Sequence, residues 1–393
     1  MRKIALYITV LLLPAPVWAG GLNVIGGRGG GADMSGAYNA ISDDASLFYY
    51  NPSGLLQFKR PYSELIIEVL KLTFTIKDSS GRHTSKNDVV HLLPLGCYIH
   101  PLNDELVVGI GLYVPYGHGA VFKEKWPFAK SDTLISLTNI SPAIGWQICD
   151  KLSLGLQLNI GIGQMKYQAN IPEGWLLSIP TNTTAIGIGF GATIGTKYQI
   201  TDELAWGLTY TTPTHVNLSA RTHIALGALS FNKGADGDIT FPAKIGSGIA
   251  YQLTEKWLLA FDANYYFYES AMKNIPLKFH GLPLTKNTVL KWKDNYSLHL
   301  GSRYLVNKDL SVSAGVGYQT ASVPDDTISQ LTPDVTGWDV ATGIVYKKNN
   351  WKIDSHLIYA WGDREVKPKI GRIGAGHYSA QSLTLGLRAG YSF

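Results

Sequence analysis

Apolar and polar residues alternate along most of the chain, from about residue 62 to the C-terminus. The last segment, 382–393, places leucines, an alanine and two aromatics on one face, and polar residues or glycine on the other. The same period of two, which predicts β-strands, recurs at 152–163, 186–200, 204–210 and 310–318. These runs reach about 10–15 residues, which exceeds the usual strand of a soluble sheet and suits a tilted membrane strand. A soluble sandwich also alternates, so the period alone leaves both folds open.

Short and long connections alternate between the predicted strands. Short polar turns fall at 101–105, 149–151, 201–203, 254–256, 306–309 and 348–350. Longer segments, expected to be irregular, fall at 77–88, 116–132, 168–183, 212–236, 269–287, 321–335 and 362–379. Six turns plus seven loops give thirteen connections, hence fourteen strands. Because a sheet in lipid must leave no unpaired edge, this even count predicts an all-β fold, a closed antiparallel transmembrane β-barrel of the bacterial outer membrane.

The first predicted strand departs from a single alternation. Its apolar residues switch phase along it, from Leu65, Ile67 and Val69 to Leu70, Leu72, Phe74 and Ile76. A slip of one residue predicts either a β-bulge or a strand of which only the second half faces lipid.

Aromatic residues cluster near several strand ends, which is typical of the girdles of membrane barrels.

Composition agrees with an exported β-protein. Only 16% of the 393 residues are charged, 42 are glycine and 11% are aromatic. No apolar run after the N-terminus reaches the roughly 18 residues of a membrane helix. The N-terminus has a basic Arg2–Lys3 pair, an apolar stretch from Ile4 to Leu13 and a small-x-small site at Val17–Ala19. These features predict a cleaved signal peptide, residues 1–19.

The residues indicate no cofactor and no metal. Cys97 and Cys149 fall two predicted strands apart, about 10 Å at roughly 4.8 Å per strand, beyond the Cα limit of about 7 Å for a disulfide. We therefore expect two free, buried thiols. The run GIGFGA at 187–192 matches a dinucleotide fingerprint but lies inside a strand with no helix after it. A net charge of +5 without a basic stripe gives no support to nucleic-acid binding.

Residues 20–61 precede the first strand and begin with a run rich in glycine. Seven of the twelve residues 20–31 are glycine. The segment is either a disordered periplasmic tail or a plug, because a fourteen-stranded barrel is wide enough to need filling or to leave a channel.

The stretch 36-GAYNAISDDASLFYYNPSGLLQFKR-60 resembles the hatch motif of the FadL/TodX family, outer-membrane transporters of long-chain fatty acids and aromatic hydrocarbons. The motif has the form A-x-A-x-x-D-A-S followed by N-P-A-G, and its last part is Asn51-Pro52-Ser53 here. Family-like segments follow in order at 111–117, 139–158, 241–265, 296–306 and 318–334. The resemblance therefore covers nearly the whole mature chain.

This resemblance implies an N-terminal hatch, residues 20–61, inside a fourteen-stranded barrel, residues 62–393. The residues that carry the hatch motif are Asp44, Ala45, Ser46, Asn51, Pro52, Ser53 and Gly54. The family implies a hydrophobic ligand (fatty acid, arene, or detergent in crystals) that is caught among extracellular loops and passed to a lumenal pocket. Candidate ligand contacts are Phe48, Tyr49, Tyr113, Tyr116 and Trp126. For the hatch aromatics Phe48, Tyr49 and Tyr50, we favour packing of the hatch against the barrel wall over a place in the ligand pocket.

In the family the ligand leaves sideways at a kinked third strand, here predicted from Leu106 to Pro115. Gly109 and Gly111 lie on its non-lipid face, and Pro115 ends it. Glycine weakens a strand and proline removes a ladder donor, so a lateral gap is expected at this strand. The alternative is that the glycines make room for side chains of the plug.

Six polar residues are expected to face the lumen and to form a network that holds the hatch. A hydrolase could use such groups, as in outer-membrane phospholipase A, but no nucleophile motif is present, so no enzyme is predicted. The six are Asp262, His299, Arg303, Asp354, His356 and Arg388.

The sequence thus predicts an outer-membrane channel for passive uptake of hydrophobic small molecules. A barrel of the same fold that serves as a surface receptor or adhesin, and a general porin, are the alternatives. The choice between fatty acid and arene stays open. We expect a monomer among outer-membrane lipid and lipopolysaccharide, with no nucleic acid as partner.

Overall fold

The computed structural model describes residues 21–23, 29–79, 84–122, 130–170, 181–226, 229–281, 285–330, 332–368 and 374–393. The described residues form eighteen β-strands and four short helices. None of these helices is long and apolar enough to cross a membrane. The strands are β1 (Tyr62–Asp78), β2 (Thr84–Pro101), β3 (Leu106–Phe122), β4 (Lys130–Cys149), β5 (Leu152–Asn170), β6 (Thr181–Gln199), β7 (Leu204–Thr211), β8 (Thr214–Leu226), β9 (Leu229–Phe241), β10 (Lys244–Thr254), β11 (Trp257–Tyr266), β12 (Asn274–Phe279), β13 (Thr285–Val289), β14 (Asn295–Leu305), β15 (Leu310–Gln319), β16 (Thr336–Lys348), β17 (Trp351–Val366) and β18 (Gly376–Ser392).

Fourteen of these strands form a closed antiparallel barrel. β1 pairs with β18 along its whole length, from Tyr62 opposite Ser392 to Asp78 opposite Gly376, and this ladder closes the sheet. β7 pairs directly with β10, and β11 pairs directly with β14, so β8, β9, β12 and β13 are additional to the wall. The predicted fold class and the count of fourteen wall strands are confirmed.

The four additional strands lie in two of the long connections. β8 pairs with β9 and continues along β6, whereas β12 and β13 form a hairpin that also pairs with β9. The expectation that 212–236 and 269–287 are irregular is therefore wrong. The period of two does persist in β8, where Val216, Leu218 and Ala220 are buried. The polar residues between them gave β8 the composition of a loop.

The outer surface of the barrel is apolar, as lipid requires. On β18, Leu383, Leu385 and Leu387 are 46%, 47% and 61% exposed, whereas Ser382 and Thr384, which alternate with them, are buried. Aromatic residues border this surface, with Trp338 and Trp361 near one end of their strands and Trp351 and Tyr391 near the other. This arrangement matches the aromatic girdles of membrane barrels.

β1 contains no slip, and both explanations of its phase switch are wrong. It pairs without a register shift with β18 and with β2. Leu65, Ile67 and Val69 face outward, and Lys71 continues that face. The apolar residues of the other phase, which include Leu72 and Phe74, are buried inside the barrel. The outward face becomes polar where the strand extends past the apolar belt, while the lumen becomes apolar at the same height.

The two cysteines lie on β2 and at the end of β4, two strands apart, and they form no disulfide in the described structure. Cys97 is buried as expected. Cys149 is exposed, so the expectation of a buried thiol is wrong there. It ends its strand at the turn to β5, where the chain leaves the packed wall.

The described part of the N-terminal segment, residues 21–23 and 29–57, lies inside the barrel and is not a disordered tail. It forms a 3₁₀ helix at Gly29–Met34, a helical turn at Leu47–Tyr50 and a second 3₁₀ helix at Pro52–Gln57. The first helix contacts β14 to β17, and the last contacts β3 to β6 on another part of the wall. Inward-facing glycines let the N-terminal segment approach the barrel wall closely, since a Cβ at Gly155 of β5 would overlap the backbone of Pro52. We call this segment the hatch.

Candidate functional site

Asp44 and Ser46 shape the start of the helical turn Leu47–Tyr50. Asp44 Oδ1 accepts hydrogen bonds from the Ser46 N–H at 2.9 Å and the Ser46 hydroxyl at 2.6 Å. Such a local side-chain bond fixes the backbone where a helix begins. The Ala45 N–H donates to Glu64 Oε1 on β1 at 3.0 Å, which ties this turn to the wall.

Asn51 joins the hatch to itself and to the barrel. Its Oδ1 accepts from the Ser53 N–H at 3.1 Å and the Ser53 hydroxyl at 2.7 Å. Its Nδ2 donates to the carbonyl oxygens of Asn39 and of Thr196 on β6, each at 2.9 Å. Pro52 follows at the first position of the 3₁₀ helix, where its missing N–H is no loss. The serine that replaces alanine in the motif thus adds one hydrogen bond to Asn51.

A network of ion pairs holds the hatch at the short-turn rim, the periplasmic rim in barrels of this kind. Arg388 on β18 contacts Asp44 of the hatch, and its Nε lies 2.5 Å from Asp354 Oδ2 on β17. Lys352 Nζ lies 3.4 Å from Asp44 Oδ2, and Arg303 Nη1 lies 2.8 Å from Asp43 Oδ2. All of these groups except Asp354 border a cavity of about 270 Å³, which the turn residues Lys256, Lys308 and Asp309 also line.

Cations around Asp43 and Asp44 of the hatch favour the ionised form of both carboxylates. Burial alone would raise the pKa of Asp44, but the Arg388 guanidinium and the Lys352 ammonium hold it well below its ordinary value. Burial acts likewise on the pKa of Asp43, and Arg303 and Lys352 hold that pKa well below the usual range. The hatch is therefore docked by charge as well as by packing.

The six predicted network residues divide into two groups. Arg303, Asp354 and Arg388 belong to the ion-pair network, and Asp262 Oδ2 accepts from the Tyr38 and Asn39 N–H groups of the hatch, each at 2.8 Å. The two histidines bond within the wall: His356 Nε2 lies 2.9 Å from Glu68 Oε1, and His299 Nε2 lies 2.8 Å from Ser297 Oγ. Sequence reasoning missed Asp43, Glu64 and Lys352, although Lys352 shares the inward phase of Asp354.

Above the hatch the lumen is apolar. Inward side chains of many strands meet there with residues of the loops, and all of them are buried. We call this set the upper apolar cluster; its members include Leu22, Leu72, Phe74, Ile76, Tyr116, Phe122, Ile135, Leu137, Met165, Val216, Leu218, Phe241, Tyr266, Tyr268, Ile275, Leu277, Leu290 and Trp292.

A cavity of about 130 Å³ lies within this cluster. Its apolar walls include Ile135, Met165 and Leu277, and several threonines line it as well. Lys166, paired with Asp132 at 2.5 Å, stands at its border. An apolar cavity of about 150 Å³ is known to admit benzene, so this one is large enough for an aromatic ring or for a short part of an alkyl chain.

Three of the five predicted ligand contacts, Tyr49, Tyr113 and Tyr116, lie at the boundary between the hatch and the upper apolar cluster. The rings of Tyr49 and Tyr113 meet edge to face with centroids 6.3 Å apart. Tyr116 stacks on Phe241 at 5.7 Å. Phe48 instead packs against the wall at Gly111, where a Cβ would overlap its ring. Trp126 lies outside the described residues.

The wall is incompletely paired at β3. The ladder between β2 and β3 runs from Pro101 opposite Val107 only to Gly96 opposite Leu112, and no further pair joins the described parts of these strands. β3 remains paired with β4, with a register shift between Tyr113 and Tyr116. The seam thus opens at the height of outward-facing Leu92.

Three residues were predicted to form the lateral gap, and the structure separates them. Gly109 and Gly111 lie within the paired part of β3, where they leave room for Leu55 and Phe48 of the hatch. Pro115 lies in the register shift next to the seam. It does not end the strand, because β3 continues to Phe122. A proline at this point removes only a donor that the irregular ladder leaves unused.

The N-terminal residues approach β3 where β2 has separated from it. The Gly117 N–H donates to the Leu22 carbonyl oxygen at 2.8 Å, and Asn23 forms a bridge with Tyr116. The Leu22 N–H donates in turn to the Tyr268 hydroxyl at 2.8 Å. The open edge of β3 is therefore covered from the lumen by residues 21–23.

A plugged fourteen-stranded barrel with an apolar upper lumen defines the class of outer-membrane transport barrels for hydrophobic compounds. Residues 11–393 match the family described as "Outer membrane protein transport protein (OMPP1/FadL/TodX)". The chain belongs to this family, which is a family of transport proteins of the outer membrane.

Similar proteins carry corresponding names. The chain is 23% identical to outer membrane protein P1 of Haemophilus influenzae, over 90% of this chain and 87% of that protein. It is 22% identical to the long-chain fatty acid transport protein of Escherichia coli K12, over 92% of each chain.

Solved structures share the fold. A FadL homologue of Pseudomonas aeruginosa superposes with a TM-score of 0.79 at 16% identity, covering 96% of this chain and 100% of that one. The toluene transporter TodX of P. putida superposes with a TM-score of 0.75 at 17% identity, covering 94% of this chain and 99% of that one.

Proposed function

We propose that this protein lets hydrophobic small molecules cross the outer membrane by diffusion, without an energy source. The observation that carries the proposal is the upper apolar cluster, which lies above a docked hatch and beside an unpaired seam in the wall. An apolar ligand gains about 0.8 kcal/mol for each CH₂ group that it buries. Such a lumen therefore attracts alkyl chains and aromatic rings but offers little to polar solutes.

In the proposed route the ligand is first captured among the extracellular loops. The cavity of about 130 Å³ supports this step, because the hairpin β12–β13 and the loop residue Thr327 border it. The ligand then moves to the boundary formed by Tyr49, Tyr113 and Tyr116. Relatives of this chain are named as transporters of long-chain fatty acids and of toluene, and either class of ligand fits an apolar lumen.

The ligand then leaves sideways between β2 and β3. Strand edges in lipid are ordinarily avoided because their backbone groups have no water to bind, so an unpaired seam in a barrel wall calls for a reason. Leu92 and Val90 face outward beside the seam and are apolar, which favours direct passage into the bilayer. Residues 21–23 cover the seam from inside and would move before the ligand exits.

We further propose that the chain divides into three parts. Residues 1–19 are a signal peptide removed on export, 20–61 are the hatch and 62–393 are the barrel. The protein acts as a monomer among outer-membrane lipid and lipopolysaccharide, and it catalyses no reaction.

Conductance in planar bilayers tests the plugged channel against a general porin. We expect the intact protein to show no large stable openings and a variant that lacks residues 20–50 to show them. Large openings in the intact protein would refute the hatch, and a closed deletion variant would show that the hatch does not seal the lumen.

Growth separates a transporter from a receptor or adhesin of the same fold. Cells that depend on this protein should grow faster on oleate or on toluene than cells without it. Equal growth of both strains on both carbon sources would favour the receptor.

A further inference from the structure

The outer face of β8 is polar, although it lies beside an apolar part of the barrel wall. On β7 the outward apolar residues end at Tyr210, which pairs with Ile194 of β6. On β6 they continue past that position, since Ile186, Ile188 and Phe190 are 51%, 58% and 64% exposed. The residues of β8 that pair with these three are exposed and polar: Ser219, Asn217 and His215.

Outward side chains form rows that cross from β6 to the strands above the membrane. Ile188 lies opposite Asn217 of β8, which lies opposite Asp238 of β9. Asp238 is thus about 10 Å from Ile188 at roughly 4.8 Å per strand. Because the strands of such a barrel are tilted, the row rises from β6, where the belt is apolar, to β9 above it. Apolar and polar surfaces therefore follow each other within the length of one amphiphile.

A cavity of about 340 Å³ opens on the polar part of this face. It lies beside β12, which pairs with β9 only from Leu277 to Phe279 in the described structure. Its volume falls within the range of about 300–1,000 Å³ that is usual for pockets of small ligands. The polar side chains that line it are Asn217, Ser219, Asp236, Asp238 and Lys278.

This lining suits the hydroxyl groups of a sugar. Ionised carboxylates only accept hydrogen bonds, an ammonium only donates them, and an amide or a hydroxyl does both. A saccharide, whose hydroxyls donate and accept, can therefore satisfy every one of these groups. Asp236 Oδ2 lies 2.9 Å from His280 Nε2, which holds this carboxylate in place. A phosphate head group would instead bring like charges next to Asp236 and Asp238.

We propose that this surface binds an outer-leaflet lipid with a saccharide head group. The head group occupies the cavity beside Asp236 and Asp238, and an acyl chain lies along Ile186, Ile188 and Phe190. Any lipid can supply the acyl chain, so the hydrogen bonds to the carboxylates, which are stronger than those between neutral groups, select the saccharide. The inference goes beyond the proposed uptake function and requires only that the barrel lies in the outer membrane.

Three probes separate recognition of the head group from contact with the chain. Binding of dephosphorylated lipid A, of phosphatidylethanolamine and of the free glucosamine disaccharide to the purified full-length protein would be measured by native mass spectrometry. We expect the dephosphorylated lipid A to bind about tenfold or more tightly than either of the others, as is typical of hydrogen bonds to charged groups. The phosphatidylethanolamine lacks the sugar, and the disaccharide lacks the chains.

Asp238→Ala should lower the affinity for dephosphorylated lipid A to that for phosphatidylethanolamine. Asp238→Asn, whose amide oxygen still accepts hydrogen bonds, should retain part of the preference. Asp363→Ala is the matched control, because Asp363 is also an exposed carboxylate beyond the belt residue Trp361 and pairs with polar Thr336 and Ser379. We expect this control to keep the full preference. Heat-dependent mobility in gels would show that each variant forms a folded barrel.

Several results would overturn the inference. These are equal affinities for dephosphorylated lipid A and phosphatidylethanolamine, equal affinities for the lipid and the free disaccharide, and a preference that survives Asp238→Ala. A preference that only phosphorylated lipid A shows would assign the contact to phosphate, and loss of the preference in Asp363→Ala would assign it to surface charge in general; both would contradict the site. Absence of oleate and toluene uptake by a protein that keeps the preference would instead contradict the proposed function alone.

Discussion

At the scale of single residues, Arg388 lies near three carboxylates of the ion-pair network. It contacts Asp44 and Asp354, and its Nη1 lies 3.7 Å from Glu64 Oε1. The three carboxylates come from the hatch, β17 and β1, so one guanidinium joins three parts of the fold. Removal of one partner from such a buried group leaves charges without compensation, which typically costs about 3–5 kcal/mol.

We therefore predict that Arg388→Ala undocks the hatch without changing the strand order. Protease cleavage within residues 29–57 should rise strongly, and leakage of polar antibiotics into cells should increase. Arg221→Ala on the exposed face of β8 is the control and should leave both unchanged. Unaltered cleavage in Arg388→Ala would mean that packing alone holds the hatch.

The hatch carboxylates also predict a dependence on pH. The pKa values of Asp43 and Asp44 are lowered when the hatch is docked, so their contribution is complete above the ordinary aspartate pKa of about 3.9. It is lost as pH falls below that value towards the lowered pKa values. Burial raises the pKa of Asp33, so protonation of this residue at low pH stabilises the docked hatch. Hatch protection from an acid-stable protease should decline below about pH 4, and Asp44→Asn should remove most of that decline.

Single residues also show what the sequence could not supply. The sequence predicts the hatch motif around Asn51, because the motif is a fixed local spacing of residues. It does not predict the ion-pair partners of Arg388, because they depend on how β1, β17 and β18 align in a closed barrel. Residues more than 300 positions apart meet there, as Asp44 and Arg388 do. Nothing local to either residue indicates that meeting.

At the scale of elements, β3 is the strand whose irregularity bears on transport. Val114 and Pro115 stand between two pairs of the ladder to β4, Tyr113 with Asn139 and Tyr116 with Leu137. Two residues of β3 thus oppose one residue of β4. Such a bulge bends a strand locally, and the ladder to β2 ends at Leu112, two positions before Val114.

Deletion of Pro115 should leave one residue on β3 and one on β4 between the two ladder pairs that flank the bulge. We predict a regular β3 that pairs further with β2, closes the seam and slows uptake of hydrophobic compounds severalfold. Binding of the ligand inside the lumen should be nearly unchanged. A Pro115→Ala variant keeps the extra residue and serves as the control. Unchanged uptake in the deletion variant would show that the ligand leaves by another route.

The sequence predicts the strands of the barrel wall better than the strands in the long connections. Alternation and connection lengths are sufficient for fourteen wall strands, because each strand carries its own period of two. They did not reveal β8, β9, β12 and β13, whose outward faces are polar because they extend beyond the lipid. For the same reason the inward apolar residues of β1 suggested a slip: a strand that leaves the membrane exchanges the polarity of its two faces.

At the scale of the whole molecule, the barrel is divided along its axis. The lower lumen is filled by the hatch and joined to the wall by ion pairs, whereas the upper lumen is apolar and contains a cavity. The seam between β2 and β3 opens beside the boundary of the two halves. A molecule that enters from above thus meets an apolar lumen, a closed floor and one incompletely paired side of the wall.

The initial rate of uptake tests this account most directly. Cells that lack their own transporters for hydrophobic compounds, with and without this protein, would be given labelled oleate, labelled toluene or labelled sucrose. We predict faster uptake of at least one hydrophobic compound when the protein is present, and no change for sucrose. Equal rates for both hydrophobic compounds with and without the protein, or faster entry of sucrose, would contradict it.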